Sequence, residues 1–579
     1  MSEMNADGFW TGRLSSSALG VAVALAALHF HDAKEHRDEI QKGLNWLKAN
    51  INTDGSFGDT PESPGNISTS LLVYAALNLY SGKDVSVLEL QEKTAEYLQA
   101  YGIDISSGEV AEAILAHYKT DFTFSVPILT MCALCGIPGK EAFDKIPQLP
   151  FELALMPQKF YRLLNLSVVS YAIPALIAVG IVIFKNKKSE EIARWIRGRA
   201  EQKALLILQK VMPESGGFLE AIPLTAFVAL SLINAGYKNM DVVGKGIAFL
   251  KRTQREDGGW PIDVDLSTWV TSQSVKALRG RIEFVLSPVQ KDRLTLHLKA
   301  IQNKAVHPFN GTPPGGWGWT SYSGSVPDCD DTPGTILALL RINPPEKVKE
   351  EVLAGAGWLL KLQNSDGGFP TFSKGWGKLP FDQSCSDLTG HCLLALTMVN
   401  GNYRDINVQE QNKLINAISR SVRYLHNRQK EDGSWLPLWF GNQYANNHEN
   451  PVYGTARVLN YLKDARPLLK EWKQISSDLD VMIGQGTKYL LDVQNPDGSW
   501  GGSKNIQGTM EETALATAAL AGSDHQDACF KGFSWLDDSF QKNGLPTAPI
   551  GLYFASLWYD EKMYPLTAYL EAVTKFLDE

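Results

Sequence analysis

Tyr489-Leu490-Leu491-Asp492-Val493-Gln494-Asn495-Pro496-Asp497-Gly498-Ser499-Trp500 reads as the end of an amphipathic helix followed by a glycine turn, and the same unit returns along the chain. Tyr424-Leu425 leads to Gln429 and Asp432-Gly433-Ser434-Trp435, and Trp358-Leu359-Leu360 leads to Gln363 and Asp366-Gly367-Gly368-Phe369. Phe249-Leu250 precedes Gln254 and Asp257-Gly258-Gly259-Trp260, while Lys42-Gly43 with Trp46-Leu47 precedes Asp54-Gly55-Ser56-Phe57. Two weaker copies are Gln209 with Gly216-Gly217-Phe218, and Lys531-Gly532 with Trp535-Leu536. In each unit the Gln and the ring are placed to bridge to the next helix. Irregular periods of roughly 40 to 70 residues predict stacked or ring-closed helix hairpins, hence an all-α fold.

Between these repeats lies Asp328-Cys329-Asp330-Asp331-Thr332, directly after Pro327 and behind Gly315-Gly316-Trp317-Gly318-Trp319. Three carboxyls this close cannot all ionise comfortably, so one tends to keep its proton while its neighbours orient it. In an aromatic-lined pocket few bases could take that proton except the π electrons of an alkene. The alternative is a calcium-type loop or a solvated acidic turn, although no Gly and following Glu complete an EF-hand pattern.

Together, in this order, the QxxDGxW-type repeats and the DxDD cluster resemble the squalene-hopene cyclase branch of class II terpene cyclases over essentially the whole chain. The resemblance implies two α/α-barrel domains of the α6-α6 type, β and γ, with γ inserted near the start of β. Residues 1–18 would open the β domain, 19–264 would form γ, and 265–579 would form the catalytic β barrel. The implied activity is protonation-initiated cyclisation of squalene or a similar long linear isoprenoid through carbocations, with no cofactor and no metal.

The bulk properties agree with two such barrels. A chain of 579 residues, 44% hydrophobic and with 15 Trp, can bury large cores and exceeds the usual size of one domain. A net charge of −8, without any dense basic run, argues against nucleic acid. The six cysteines follow no disulfide spacing and no signal-type segment opens the chain, so a reducing cytoplasmic setting is expected. Cys132-Ala133-Leu134-Cys135 is a lone CxxC, read as two small apolar residues on a helix in preference to a zinc or redox site. Leu166 to Phe184 is the candidate for a membrane span, but Pro174, Gly180 and two serines weaken it and it reads as a buried helix. From the resemblance, peripheral one-leaflet attachment at the inner face of the cytoplasmic membrane is expected, with Pro150 to Pro157 as an apolar rim, and a homodimer is allowed.

Carried over motif by motif, Asp330 resembles the proton donor, with Asp328 and Asp331 orienting it and helping to restore its proton. Ser386-Asp387-Leu388-Thr389-Gly390-His391 resembles the element whose His bonds the donor. A cationic His391 would make Asp330 more acidic, and Asp387, one turn earlier, could hold the imidazole. A satisfied core histidine is the plain alternative. Trp319 and Phe372 match aromatics flanking the early cation, Trp439 a cavity Trp, and Trp269 the Trp near the first ring. Tyr171 matches a Trp of the substrate-access helix, and Tyr553 a ring of the C-terminal aromatic cluster. Each such face can contribute on the order of 1–2 kcal/mol to a cation in a dry site, and the alternative for each is core packing. Trp260, Phe369, Trp435 and Trp500, inside the repeats, read as staples between helices.

Departures from the family pattern bear on the product. Apolar residues stand at Leu19 to Ala26 and at Leu72 where the hopene-forming enzymes carry acids, an arginine expected near Phe124 to Pro127 is missing, and Val270 replaces an Asp. Leu545, Leu557 and Asp560 stand where rings are usual. The altered termination pocket keeps two other substrates open: a polyprenylated aromatic, or a prenyl diphosphate, which alone would call for Mg. Outside enzymes, a non-catalytic apolar-ligand-binding α-barrel protein remains, although buried unpaired acids are costly to retain in a scaffold.

Overall fold

The computed structural model describes residues 3–578 except 83, 106, 108, 119–121, 140–141, 157–172, 189–190, 373, 375–381, 547–548 and 553–556. Tyr171 and Tyr553 lie outside the described residues. The chain is built of helix hairpins arranged in two rings. In the first, α1 (Ala18–Asp32), α3 (Ile67–Asn78), α6 (Phe122–Leu134), α7 (Ile173–Asn186) and α9 (Ile222–Leu232) pack in succession, and α9 returns to α1. Outside them lie α2 (Arg37–Ala49), α4 (Val85–Ala100), α5 (Glu109–Tyr118), α8 (Glu191–Val211) and α10 (Asp241–Thr253).

The second ring closes through six inner helices, α11 (Ser267–Leu278), α13 (Asp331–Ile342), α15 (Ser386–Asn402), α17 (Pro451–Ala465), α19 (Met510–Leu520) and α21 (Met563–Leu577), with α21 against α11. Its outer layer holds α12 (Pro288–Ala300), α14 (Lys349–Leu362), α16 (Val408–Arg428), α18 (Lys473–Asp492) and α20 (Gln526–Asn543). Inner helices are apolar nearly all round, as Val21 to Leu28 show by being fully buried, whereas outer helices are amphipathic. Each ring has its own hydrophobic core. A small antiparallel sheet, β1 (Phe440–Asn442), β2 (Ile550–Leu552) and β3 (Leu557–Tyr559), edges the second ring.

The repeats explain the rings atom by atom. Gln254, Gln363, Gln429 and Gln494 sit at outer-helix C-termini, and each donates to its own turn and to a neighbouring outer helix. Gln429 Nε2 bonds the Gly433 carbonyl of its own turn at 2.9 Å and the Met482 carbonyl of the next outer helix at 3.0 Å. Gln363 reaches Ala417, Gln494 reaches Ala528, and Gln254 reaches back to Glu39 in the same way. The turn glycines have φ near +90°, Gly433 at 89° and Gly498 at 92°, a region open to Gly at no steric cost. The aromatic ring then turns inward. Trp435 Nε1 bonds the Leu425 carbonyl of its own helix at 2.9 Å, and its ring lies over Gly486 of the next outer helix. Trp500 meets Gly532, and Trp260 meets Gly43, in the same fashion.

One further copy went unread in the sequence. Gln302 bonds the Gly315 and Glu351 carbonyls, and Trp317, bonded to Leu298, lies over Gly355. Its Gln and its turn are separated by an insertion, which hid the spacing. The chain starts on the second ring: Trp10 packs in that ring's core and bonds Thr271, and Leu14 pairs with Glu561. Of the apolar stretch ending at Phe184, Ile173 to Ile183 is buried as the inner helix α7. Among the described residues no helix is long and apolar enough to cross a membrane. All six cysteines are free and buried.

Candidate active site

The repeat at Trp317 delivers the acidic cluster to the mouth of α13. Asp328 accepts the backbone N–H groups of Asp330 and Asp331 at 2.8 and 2.7 Å, capping the helix that Asp331 begins. The turn this makes points Asp330 into a cavity of about 230 Å³. Asp330 keeps 14% of its side chain exposed there, while Asp328 and Asp331 are buried. Both Asp330 oxygens are held. Trp269 Nε1 of α11 donates to Oδ2 at 2.8 Å, and His391 Nδ1 of α15 meets Oδ1 at 2.8 Å. Arg457 Nη2 of α17 stands 3.7 Å from Oδ1.

These partners sort the carboxyls. Burial pushes Asp330 up, but the His391 hydrogen bond and charge, Arg457 and the Trp269 N–H together bring it down to about 2. Burial raises Asp328 to about 7 against its two backbone hydrogen bonds. Burial, then the charges of Asp328 and Asp330, pushes Asp331 well above the carboxylate range. One member is therefore a strong acid whose conjugate base is stabilised, while burial favours the protonated form in its two neighbours. Burial pulls His391 below its usual value, and the hydrogen bond it donates to Asp330 opposes this.

The remaining wall is apolar and aromatic: Trp319, Phe372, Trp439, Phe440, Leu388 and Tyr559 are among its lining. Trp319 and Phe372 meet edge to face at 5.9 Å, as do Phe372 and Trp439 at 5.8 Å. Trp439 Nε1 bonds the Thr371 hydroxyl, which fixes the end of this string. A strong acid at the wall of a dry aromatic cavity is suited to protonating a carbon–carbon double bond.

Comparison with known proteins agrees with this chemistry. The squalene-hopene cyclase N-terminal domain model matches residues 1–106 and the corresponding C-terminal domain model residues 302–550, together more than half of the chain. The chain belongs to the squalene-hopene cyclase-like class II terpene cyclases. It is 24% identical to the squalene hopane cyclase of Aspergillus fumigatus over 86% of this chain and 76% of that one. It is 23% identical to the enfumafungin synthase of Hormonema carpetanum over 95% of this chain, and spans 45% of that longer protein. In fold it is similar to the ent-copalyl diphosphate synthase of Streptomyces platensis, with a TM-score of 0.54, 18% identity and coverage of 98% of this chain and 96% of that one.

Within this cyclase, the structure brings Asp328, Asp330, Asp331, His391, Trp269, Trp319, Phe372 and Trp439 to one place. Two sequence expectations change. Asp387 lines the cavity but does not hold the imidazole: its carboxylate accepts the Cys385 thiol at 2.6 Å, and His391 stacks instead on Tyr461, with ring centroids 4.6 Å apart. Asp387 and His391 are one helical turn apart, yet the imidazole turns to Asp330. Trp269, expected only as a cation-facing ring, also binds the donor. Leu557 does line the cavity, whereas Leu545 packs in a separate cluster around Met510 and Leu536.

Three residues escaped the sequence. Arg457 could have been found from Tyr453-x-x-x-Arg457-x-x-x-Tyr461, a charge with a ring one turn to either side on an apolar helix. Tyr559, next to Asp560, is the ring that this segment turns to the cavity. Asp263 is a further carboxyl of the cavity wall. Burial, with Glu220 and Asp265 nearby, pushes it well above the carboxylate range, which favours its neutral form.

Proposed function

We propose that the protein cyclises squalene or a comparably long linear isoprenoid by protonating a terminal alkene. The observation that carries this is Asp330, bonded through both oxygens and open to an aromatic cavity. The Asp330 O–H bond breaks as the alkene π pair takes the proton, leaving a carboxylate held by Trp269 and His391. The new C–H bond leaves a tertiary cation, which successive double bonds attack to form rings, and loss of a proton or capture of water ends the reaction. Trp319, Phe372 and Trp439 offer π faces to the travelling charge. The chemistry calls for no cofactor.

A prenyl diphosphate fits less well, because among the described residues lining the cavity there is no Lys or Arg to meet phosphate. We further take residues 1–18 and 265–579 as the catalytic unit and 19–264 as its companion ring. Attachment to a membrane surface is supported by Ile192, Trp195 and Ile196, which lie exposed on one face of α8 beside exposed Met156, with Arg199 over the Trp195 ring.

The test is incubation with squalene, a geranylgeranylated phenol and geranylgeranyl diphosphate, with products identified by mass spectrometry. Squalene should give cyclic products. Asp330→Asn removes the proton and almost no volume, so it should abolish cyclisation with the melting temperature preserved. Substantial turnover by that variant would remove Asp330 from the donor role.

A further inference from the structure

We infer that Arg457 is a positioning residue that sets the strength of the Asp330 acid, an inference resting on the cyclase function proposed above. Arg457 is 2% exposed, on an inner helix of the second ring. A guanidinium remains charged at any working pH, so this is a permanent buried cation. Such a charge is costly unless an anion answers it. Among the described residues, Asp330 is the carboxylate within 4 Å of it, at 3.7 Å. Its other contacts are neutral. Nη1 donates to Gln273 Oε1 at 3.2 Å, and the guanidinium carbon lies 5.8 and 5.2 Å from the ring centres of Tyr453 and Tyr461. The nearby Glu571 is already answered by Lys276 at 3.0 Å and Lys575 at 3.9 Å.

The consequence lies in which state of the donor the pocket prefers. With Asp330 protonated, Arg457 loses the one carboxylate charge that stands within 4 Å of it among the described residues, and Asp387 and Glu571 act on it only from farther off. With the proton given away, the new carboxylate completes an ion pair beside His391. The pair is thus formed by the act of donation, which makes it a stabiliser of the transition state and of the conjugate base. His391 can lose its charge, since burial works against its protonated form, but Arg457 cannot. The two are held in register through Tyr461, which stacks on His391 and underlies Arg457.

An opposite charge at this range lowers a carboxyl pKa by about 1–3 units, so its removal should weaken the acid by about 10- to 1,000-fold. The loss should matter most where protonation is hardest. An epoxide oxygen is far more basic than an alkene and accepts a proton from a weaker acid. Arg457→Met should therefore lower kcat on squalene about 100-fold with KM nearly unchanged, and lower kcat on its terminal epoxide less than about 10-fold. Arg457→Lys should recover at least 10-fold on squalene. Equal losses on both substrates, no loss at all, or a Lys variant no better than Met would each overturn the inference. Should Arg457→Met fail to fold, Gln273→Met, which frees the guanidinium from its tether, should show the same preference for the epoxide at about 10-fold, and an equal effect on both substrates would overturn it. Wild-type protein inert toward both substrates would instead overturn the cyclase function itself.

Discussion

Trp319 lies partly exposed in the cavity wall, its indole and the Phe372 ring meeting edge to face. It takes no part in holding Asp330, so its loss should separate cation handling from proton transfer. Trp319→Ala removes a π face worth on the order of 1–2 kcal/mol, or about 10-fold in rate, and should release early-terminated, less cyclised products. Normal product at a normal rate would mark the ring as packing. At this scale the sequence carried far. Asp328, Asp330 and Asp331 were legible because carboxyls two and three positions apart must interact whatever surrounds them. Arg457 and Asp263 were not, because each reaches the site from a distant segment and only the ring closure makes them neighbours. Asp387 was placed correctly but assigned to the wrong partner, since helical spacing fixes which face a side chain shares and not which acceptor its neighbour chooses.

Helices are joined by a rule that the repeats state in full: glutamine and tryptophan from one hairpin, glycine from the next. A Cβ built on Gly486 would lie 2.9 Å from the Trp435 ring, closer than real carbon contacts allow. The ring cannot easily retreat, because its N–H is bonded to Leu425. Gly486→Ala should therefore destabilise by about 1–3 kcal/mol despite the better helix propensity of Ala, measured as a lower melting temperature. By contrast Gly484, with open space around it, should tolerate or gain from the same change. The glycines were visible in the sequence, but their purpose was not, since the ring each one receives belongs to the preceding unit.

Buried bonds join the two rings, Gly324 N–H to Glu220 at 2.7 Å among them. Asp59, in the loop before α3, is buried and accepts the Trp558 backbone N–H of β3 at 2.9 Å, across 499 residues of chain. On either side of Trp558, Leu557 and Tyr559 face the cavity. Asp59→Ala leaves that N–H unpaired and should cost about 1–3 kcal/mol in stability. It should also raise KM and yield more water-quenched product, as the loosened wall admits solvent; unchanged product and KM would confine Asp59 to structure. The other seam concerns the two extremities. Arg13 N–H bonds Glu561 Oε1 at 2.6 Å, across 548 residues, and Leu14 beside it is itself part of the cavity wall. During translation, then, residue 14 must wait for residue 561 to leave the ribosome before the reaction chamber has all its sides. A chain that has formed the first ring and most of the second therefore still lacks one side of the chamber, and the acid of Asp330 gains its full enclosure only when the segments around residues 14 and 561 join.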